Sequence, residues 1–192
     1  MSPEPTFPAA LETSRLELRA YQEADAEALV RLVGSNHEVL RRNFHDTVKR
    51  LATADAARSY IRDTTAQREE RKVFHFGVWS RKAPELMGQI KVKNVAWDVP
   101  SAEISYFIGA GFQRRGYATE AVQAVLREAF EALRFNRIYA RVIVSNHESL
   151  QLTRKLGMAH EGLHRQEFRC GYGELHDVHY FSLLRDEYVA LT

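Results

Sequence analysis

The chain has 192 residues, of which 45% are hydrophobic, enough to bury one full core without a second domain. Its 27 basic and 25 acidic residues leave a net charge of +2, too near neutral for nucleic acid to be the main partner. A single cysteine, Cys170, excludes an intramolecular disulfide, and no charged-then-apolar leader or long apolar run points to a signal peptide or membrane span. A cytoplasmic protein, monomer or homodimer, with no nucleic-acid or membrane partner is the expectation.

Residues 1–10 hold Pro3, Pro5 and Pro8 without periodicity and read as a loose tail, leaving 11–192 as one domain. Arg15 to Ala20 alternates as a strand, and Ala24 to Val33 carries apolar residues at helical spacing. Asn36 to Arg50 is polar, basic and aromatic; it reads either as an irregular cover over an acceptor site or as a solvated helix pair. Thr53 is a cap for a helix over 54–70. Phe74 to Trp79 and Met87 to Trp97 form a hairpin across Lys82 to Glu85, and Ala102 to Ile108 is a further strand.

After that strand comes Gln113-Arg114-Arg115-Gly116-Tyr117-Ala118-Thr119-Glu120. Ala118, Ala121, Val122, Val125, Ala129 and Leu133 recur at three- and four-residue steps, so a helix starts just past Gly116. Its first turn offers unpaired N–H groups and the positive dipole end, and Gly116 lets an anion approach the backbone. Arg114 and Arg115 add charge at that mouth, so a phosphate-bearing ligand fits; two solvated arginines at a helix start is the plainer alternative. The glycines do not make a dinucleotide fingerprint, because Arg114 stands at the third glycine position, and no Lys-Ser/Thr pair follows Gly116 as in a P-loop.

Ile138 to Val144 is an apolar run expected to be a strand buried on both faces. Ser145 and Glu148 have capping-box spacing for a helix ending at Gly157. Met158 to Phe168 and His176 to Leu184 are the last strands, joined by the turn Gly171 to Glu174. The fold class is α/β, a mixed sheet with a parallel pair at its centre, flanked by helices. His160, His164, His176 and His179 cluster late in sequence, but with no helical His pair and no cysteine partner read beside them they are expected to be solvated strand histidines, and no metal is expected.

The Gln-x-x-Gly-x-Ala pattern at 113–118, with Glu103 to Tyr106 before it and Asn146 to Ser149 after it, resembles the GNAT superfamily of acetyl-coenzyme A N-acyltransferases over nearly the whole chain. Asn-x-x-Ser followed by Lys155-Leu156-Gly157-Met158, then Glu161-Gly162 and His176-Asp177-Val178, is similar to the branch of ribosomal-protein N-terminal alanine and serine acetyltransferases. The resemblance implies that strands 102–108 and 138–144 splay around the pantetheine arm, with backbone near Phe107, Ile108 and Gly109 pairing its amides. Residues Gln113, Arg114, Arg115, Gly116, Tyr117, Ala118 and Thr119 would hold the pyrophosphate of acetyl-CoA. Backbone N–H near Ile108 would hold the oxyanion.

The same resemblance makes Glu103 the base drawing the amine proton through water, with Glu167 in reserve; a carboxylate paired with a surface base is the plainer reading of Glu103. Ser149 would protonate the leaving thiolate, or serve only as a first-turn serine, and Asn146 would bond the pantetheine, cap the helix, or both. The acceptor implied is the α-amine of a protein or peptide N-terminus. A small amine (polyamine, amino acid or antibiotic) and a non-catalytic coenzyme A-binding module are the alternatives.

Overall fold

The computed structural model describes residues 5–191. An eight-stranded mixed sheet carries the fold, in the order β1-β2-β3-β4-β5-β6-β8-β7. Its strands are β1 (Ala10–Glu12), β2 (Leu16–Arg19), β3 (Phe74–Ser80), β4 (Leu86–Ala96), β5 (Ser101–Ile108), β6 (Arg137–Ile143), β7 (Ala159–Arg169) and β8 (Leu175–Leu184). The helices are α1 (Ala26–Ser35), α2 (His37–Asn43), α3 (His45–Arg50), α4 (Ala54–Glu69), α5 (Tyr117–Arg127), α6 (His147–Lys155) and α7 (Arg185–Leu191). Segment 36–50 is thus the helix pair α2–α3, and Thr53 caps α4 by accepting from Ala56 N at 3.2 Å.

Two apolar layers cover the two faces of the sheet. Even-numbered residues of β3, Phe74, Phe76 and Val78, share a core with Ala121, Val122, Val125 and Leu126 of α5 and Leu152 of α6. On the other face Trp79 packs with Leu29 and Leu32 of α1 and Ala57, Tyr60 and Ile61 of α4. The two-residue period of the strand assigns these neighbours to opposite faces. Past Arg127, α5 runs on as a single π turn, Glu128–Ala132, that sinks Ala129 and Phe130 into the first core.

Two expectations need correction. β6 is not buried on both faces: Ile138, Ala140 and Val142 are buried, whereas Arg141 between them is exposed and faces Glu103. The helical cap after β6 is Asn146, whose Oδ1 accepts from Ser149 N at 3.1 Å, one residue later than the Ser145 frame. The capping role expected as one alternative for Asn146 is thus the one seen, its side-chain oxygen reaching the third N–H of the helix.

The N-terminal segment is not loose where it is described. Phe7 is 2% exposed and packs its ring 4.9 Å from Phe74, with Phe76 and Phe135 at 6.0 Å. Arg71 Nε donates to Pro5 O at 3.0 Å and Arg68 Nη2 to Phe7 O at 3.0 Å, so the prolines, which lack N–H groups, contribute acceptors instead. Residues 1–4 of the expected tail lie outside the described residues. Among the described residues no helix is long and apolar enough to cross a membrane.

Removing a buried aromatic ring from a packed core costs about 3–5 kcal/mol. Phe7→Ala is therefore expected to lower the unfolding free energy measured by urea titration by an amount in that range. A variant as stable as the parent would return the segment to the status of a loose tail.

Candidate active site

β5 and β6 run parallel but pair only over three residues, Ser101 with Arg137, Ala102 with Ile138 and Glu103 with Tyr139. Beyond Glu103, β5 stays paired with β4 to Ile108, and β6 stays paired with β8 to Ile143. The two strands therefore diverge and leave facing edges in the middle of the sheet. A cleft of about 710 Å³ passes through this gap, walled by Tyr106, Phe107 and Ile108, the loop around Gly116, the start of α6, and α2 with Phe44.

The direction of each backbone group along β5 follows from two contacts. Gly109 N donates to Met87 O of β4 at 2.8 Å, and a Cβ at Gly88 of β4 would stand 2.4 Å from Phe107 O. Phe107 and Gly109 thus spend their backbone on β4, and by alternation Tyr106 and Ile108 turn theirs to the gap. This corrects the expectation for Phe107 and Gly109. Phe107 reaches the cleft only through its ring, 5.9 Å from that of Phe44, and Gly109 does not line it. Ile108 O already accepts from Gln113 Nε2 at 3.0 Å, which folds the loop back on the strand and leaves Ile108 N–H toward the gap.

Gly116 is the N-cap of α5 with φ +79°, a left-handed conformation that glycine adopts without a Cβ penalty. The first helical hydrogen bond is Glu120 N to Gly116 O at 3.0 Å, so the N–H groups of residues 117–119 precede the helical ladder. Gln113, Arg114, Gly116, Tyr117, Ala118 and Thr119 line the cleft; Arg115 does not, and its carbonyl is held by Arg15 Nη1 at 3.0 Å.

Arg15, which no sequence pattern singles out, builds this loop. It pairs with Glu120 at 2.5 Å and lies over the Tyr117 ring at 4.5 Å. Glu120, in the first turn, would repel a bound anion. Burial pushes its pKa up, but hydrogen bonds from Thr13 and Arg15 outweigh that and bring it below the ordinary value, so it stays ionised and neutralised by Arg15.

Ser149 and Asn146 line the wall opposite β5, where Tyr106 meets them. The Tyr106 hydroxyl is closed to solvent and has no hydrogen-bond partner of good geometry among the described residues. Burial pushes its pKa up to about 12, and the nearby Ser149 hydroxyl pulls the other way without completing a hydrogen bond. An orphaned donor beside Ser149 and two open strand edges fit a ligand that supplies amides along the gap and a sulfur at its end.

Glu103 is 2% exposed and is gripped by Asn94 Nδ2 at 2.8 Å, Lys93 Nζ at 3.0 Å and Arg141 Nε at 3.1 Å. It does not line the cleft. Held by two cations and an amide, it has the geometry of the plainer of its two readings, a carboxylate paired with neighbouring bases. Arg141 continues to Glu167 at 3.3 Å, and burial's lowering of its pKa is overcome by Glu103, which raises it above the ordinary value.

Glu167 sits on an irregular stretch of β7, where the register slips between His164 and Phe168 and Gln166 has φ +52°. Bulges of this kind redirect side chains. Here the carboxylate meets Tyr180 OH at 2.5 Å and His164 Nδ1 at 3.2 Å.

α2, which walls the cleft, is tied to the turn between β7 and β8. Gly171 N donates to Arg41 O at 3.0 Å, Arg41 Nε returns to Gly171 O at 3.3 Å, and Tyr172 OH donates to Glu38. A Cβ at Gly171 would fall 2.5 Å from Arg41 O, so only glycine allows the approach. The turn and the segment that forms α2 were each legible in the sequence; their junction was not.

Residues 15–159 match the acetyltransferase (GNAT) domain family, and the chain belongs to it. It is an N-acetyltransferase that uses acetyl-CoA. Among relatives, it is 33% identical over 175 residues to YoaA, an uncharacterized N-acetyltransferase of Bacillus subtilis (strain 168), covering 91% of this chain and 96% of that one. It is 31% identical over 178 residues to the uncharacterized N-acetyltransferase p20 of Bacillus licheniformis, covering 93% and 97%. In fold it is similar to RimL, a ribosomal L7/L12 α-N-protein acetyltransferase solved in complex with coenzyme A, with a TM-score of 0.84 at 20% identity over 93% of this chain and 99% of that one.

Gly116→Val adds a β-branched side chain at a left-handed residue on the cleft wall. Coenzyme A affinity by calorimetry is expected to fall at least about tenfold, since roughly 1–3 kcal/mol of strain or displaced backbone accompanies it. Unaltered affinity in a folded variant would remove this loop from the ligand site.

Proposed function

We propose that this enzyme acetylates the α-amine of a protein or peptide N-terminus. The observation that carries the reading is the cleft running through the sheet, with a phosphate-type loop and the tied helix α2 among its walls. The alternation of β5 supports pantetheine amides pairing with Tyr106 and Ile108, and the open N–H groups of 117–119 support the pyrophosphate there, with Gln113 and Arg114 beside it. Asn146 is used as the α6 cap, leaving its amide N–H₂ for the same ligand.

Acetyl-CoA supplies an activated acyl group; the chain's own residues do the rest. Ile108 N–H is the oxyanion donor, fixed in direction by the Gln113 contact on the same residue. Ser149 Oγ donates a proton to the departing sulfur, and Tyr106 OH backs it as a second donor held neutral by burial. Glu167 takes the amine proton through water. Like Glu103 it lies outside the cleft lining, but 25% of its side chain is exposed against 3% for Glu103, so water can reach it.

Proton arithmetic and one neighbour in fold support this acceptor. An α-amine with a pKa of roughly 8 is about a tenth neutral at pH 7, while a lysine near 10.4 is neutral at well under about one part in a thousand. One carboxylate through water can cover the first gap more readily than the second. RimL, similar in fold, is described as acting on a protein α-amine.

Ser149→Ala is expected to lower kcat by about a hundredfold while leaving coenzyme A binding within about threefold. Equal losses in kcat and affinity would make Ser149 a binding group. Glu167→Gln is expected to lose rate mainly at neutral and lower pH and to recover as pH rises, because the acceptor then deprotonates unaided. A uniform loss across pH would assign Glu167 to structure.

The acceptor class is tested with peptides carrying one free α-amine and one internal lysine, the product being located by fragmentation mass spectrometry. Acetyl on the α-amine is expected. Acetyl on lysine, or turnover of a polyamine with none of any peptide, would shift the reading to a small-amine enzyme.

A further inference from the structure

The turn between β7 and β8 gathers three side chains that acetyl transfer does not use. Cys170 Sγ lies 4.0 Å from Glu174 Oε2, His176 Nε2 lies 3.4 Å from the same oxygen, and the three ligand atoms are all within 4.8 Å of one another. Tetrahedral zinc with bonds of about 2.0–2.3 Å requires ligand-to-ligand edges of roughly 3.3–3.7 Å. The set is therefore within about 1 Å of that shape, a contraction that side-chain rotation alone supplies.

Two further observations point to an ion. His176 Nε2 is sealed from solvent and has no hydrogen-bond partner among the described residues, although Glu174 stands beside it. Tyr172 N donates to Cys170 Sγ at 3.4 Å, a backbone contact that orients the sulfur. The frame is already rigid: Cys170 N donates to Glu174 O and Gly173 N to Cys170 O, both at 2.9 Å. Thiolate, carboxylate and neutral imidazole together carry −2, which a divalent cation cancels, and the mixed sulfur, nitrogen and oxygen set selects zinc over magnesium or calcium. The exposed side of Glu174 leaves a fourth position for water.

We propose that the β7–β8 turn is a zinc-binding site in which Cys170, Glu174 and His176 are the protein ligands. Binding displaces the thiol proton of Cys170 to solvent as the sulfur–metal bond forms. The ion fixes the turn whose next residue, Gly171, meets Arg41 of α2, so it braces the tie between the turn and that wall of the cleft.

The test uses the full chain, reduced and stripped with a chelator, titrated with Co²⁺ and then Zn²⁺. A one-to-one sulfur-to-cobalt charge-transfer band with intense tetrahedral visible bands is expected, bleached by Zn²⁺. Cys170→Ser should abolish the charge-transfer band, and Glu174→Gln and His176→Gln should each weaken binding by about tenfold or more. Glu174 is exposed, so its variant separates loss of a ligand from loss of fold. Absence of stoichiometric binding by the parent chain, or unchanged binding in any one of the three variants, overturns the assignment; none of these readouts depends on acetyl transfer.

Discussion

Everything at the candidate site depends on where β5 and β6 stop pairing. Three residue pairs join them, and beyond Glu103 each strand is held only from its outer side. A sheet interrupted at its edge loses little. Interrupted at its centre, it exposes backbone donors and acceptors whose desolvation without partners costs about 1–3 kcal/mol each. The fold therefore carries a strand-shaped demand for a ligand with spaced amides, and the cofactor of this family answers it. Glu103 explains how the divergence is anchored: at the last paired residue, it ties β4 through Lys93 and Asn94 to β6 through Arg141. Its burial marks the fork of the gap rather than a reactive group.

The second organising contact is between Arg15 and Glu120, 105 residues apart in sequence. A carboxylate in the first helical turn suits the dipole but opposes an anionic ligand. Arg15 resolves that conflict by neutralising Glu120 and by holding the Arg115 carbonyl, so that the loop keeps its shape. Loop geometry and electrostatics are thus set from the bend between β1 and β2, outside the cleft wall.

What was legible in the sequence follows from what local chemistry controls. The helix after Gly116 was readable because its apolar face has a 3.6-residue period and its glycine has a conformational reason to be there. Asn146 and Ser149 were readable because three-residue spacing places them at one helix start. Tyr106 was hidden because an orphaned hydroxyl is a property of three-dimensional neighbours. The partners of Glu103 were hidden for the same reason: its donors come from β4 and β6, and no spacing announces them. Phe7 was missed because prolines suggested looseness, while a single aromatic without periodicity gave no sign that a pocket between Phe74, Phe76 and Phe135 awaited it.

The bridge between α2 and the β7–β8 turn has a consequence for how the molecule opens. Arg41 and Gly171 are 130 residues apart, and α3, next to α2, buries no residue of its own. Contacts closing so long a stretch of chain with so little apolar area belong to the least stable cooperative unit of a protein. This junction is therefore expected to open before the sheet and the loop at Gly116 do. One wall of the cleft, α2, would then move while the strands on either side of the gap keep their outer pairings.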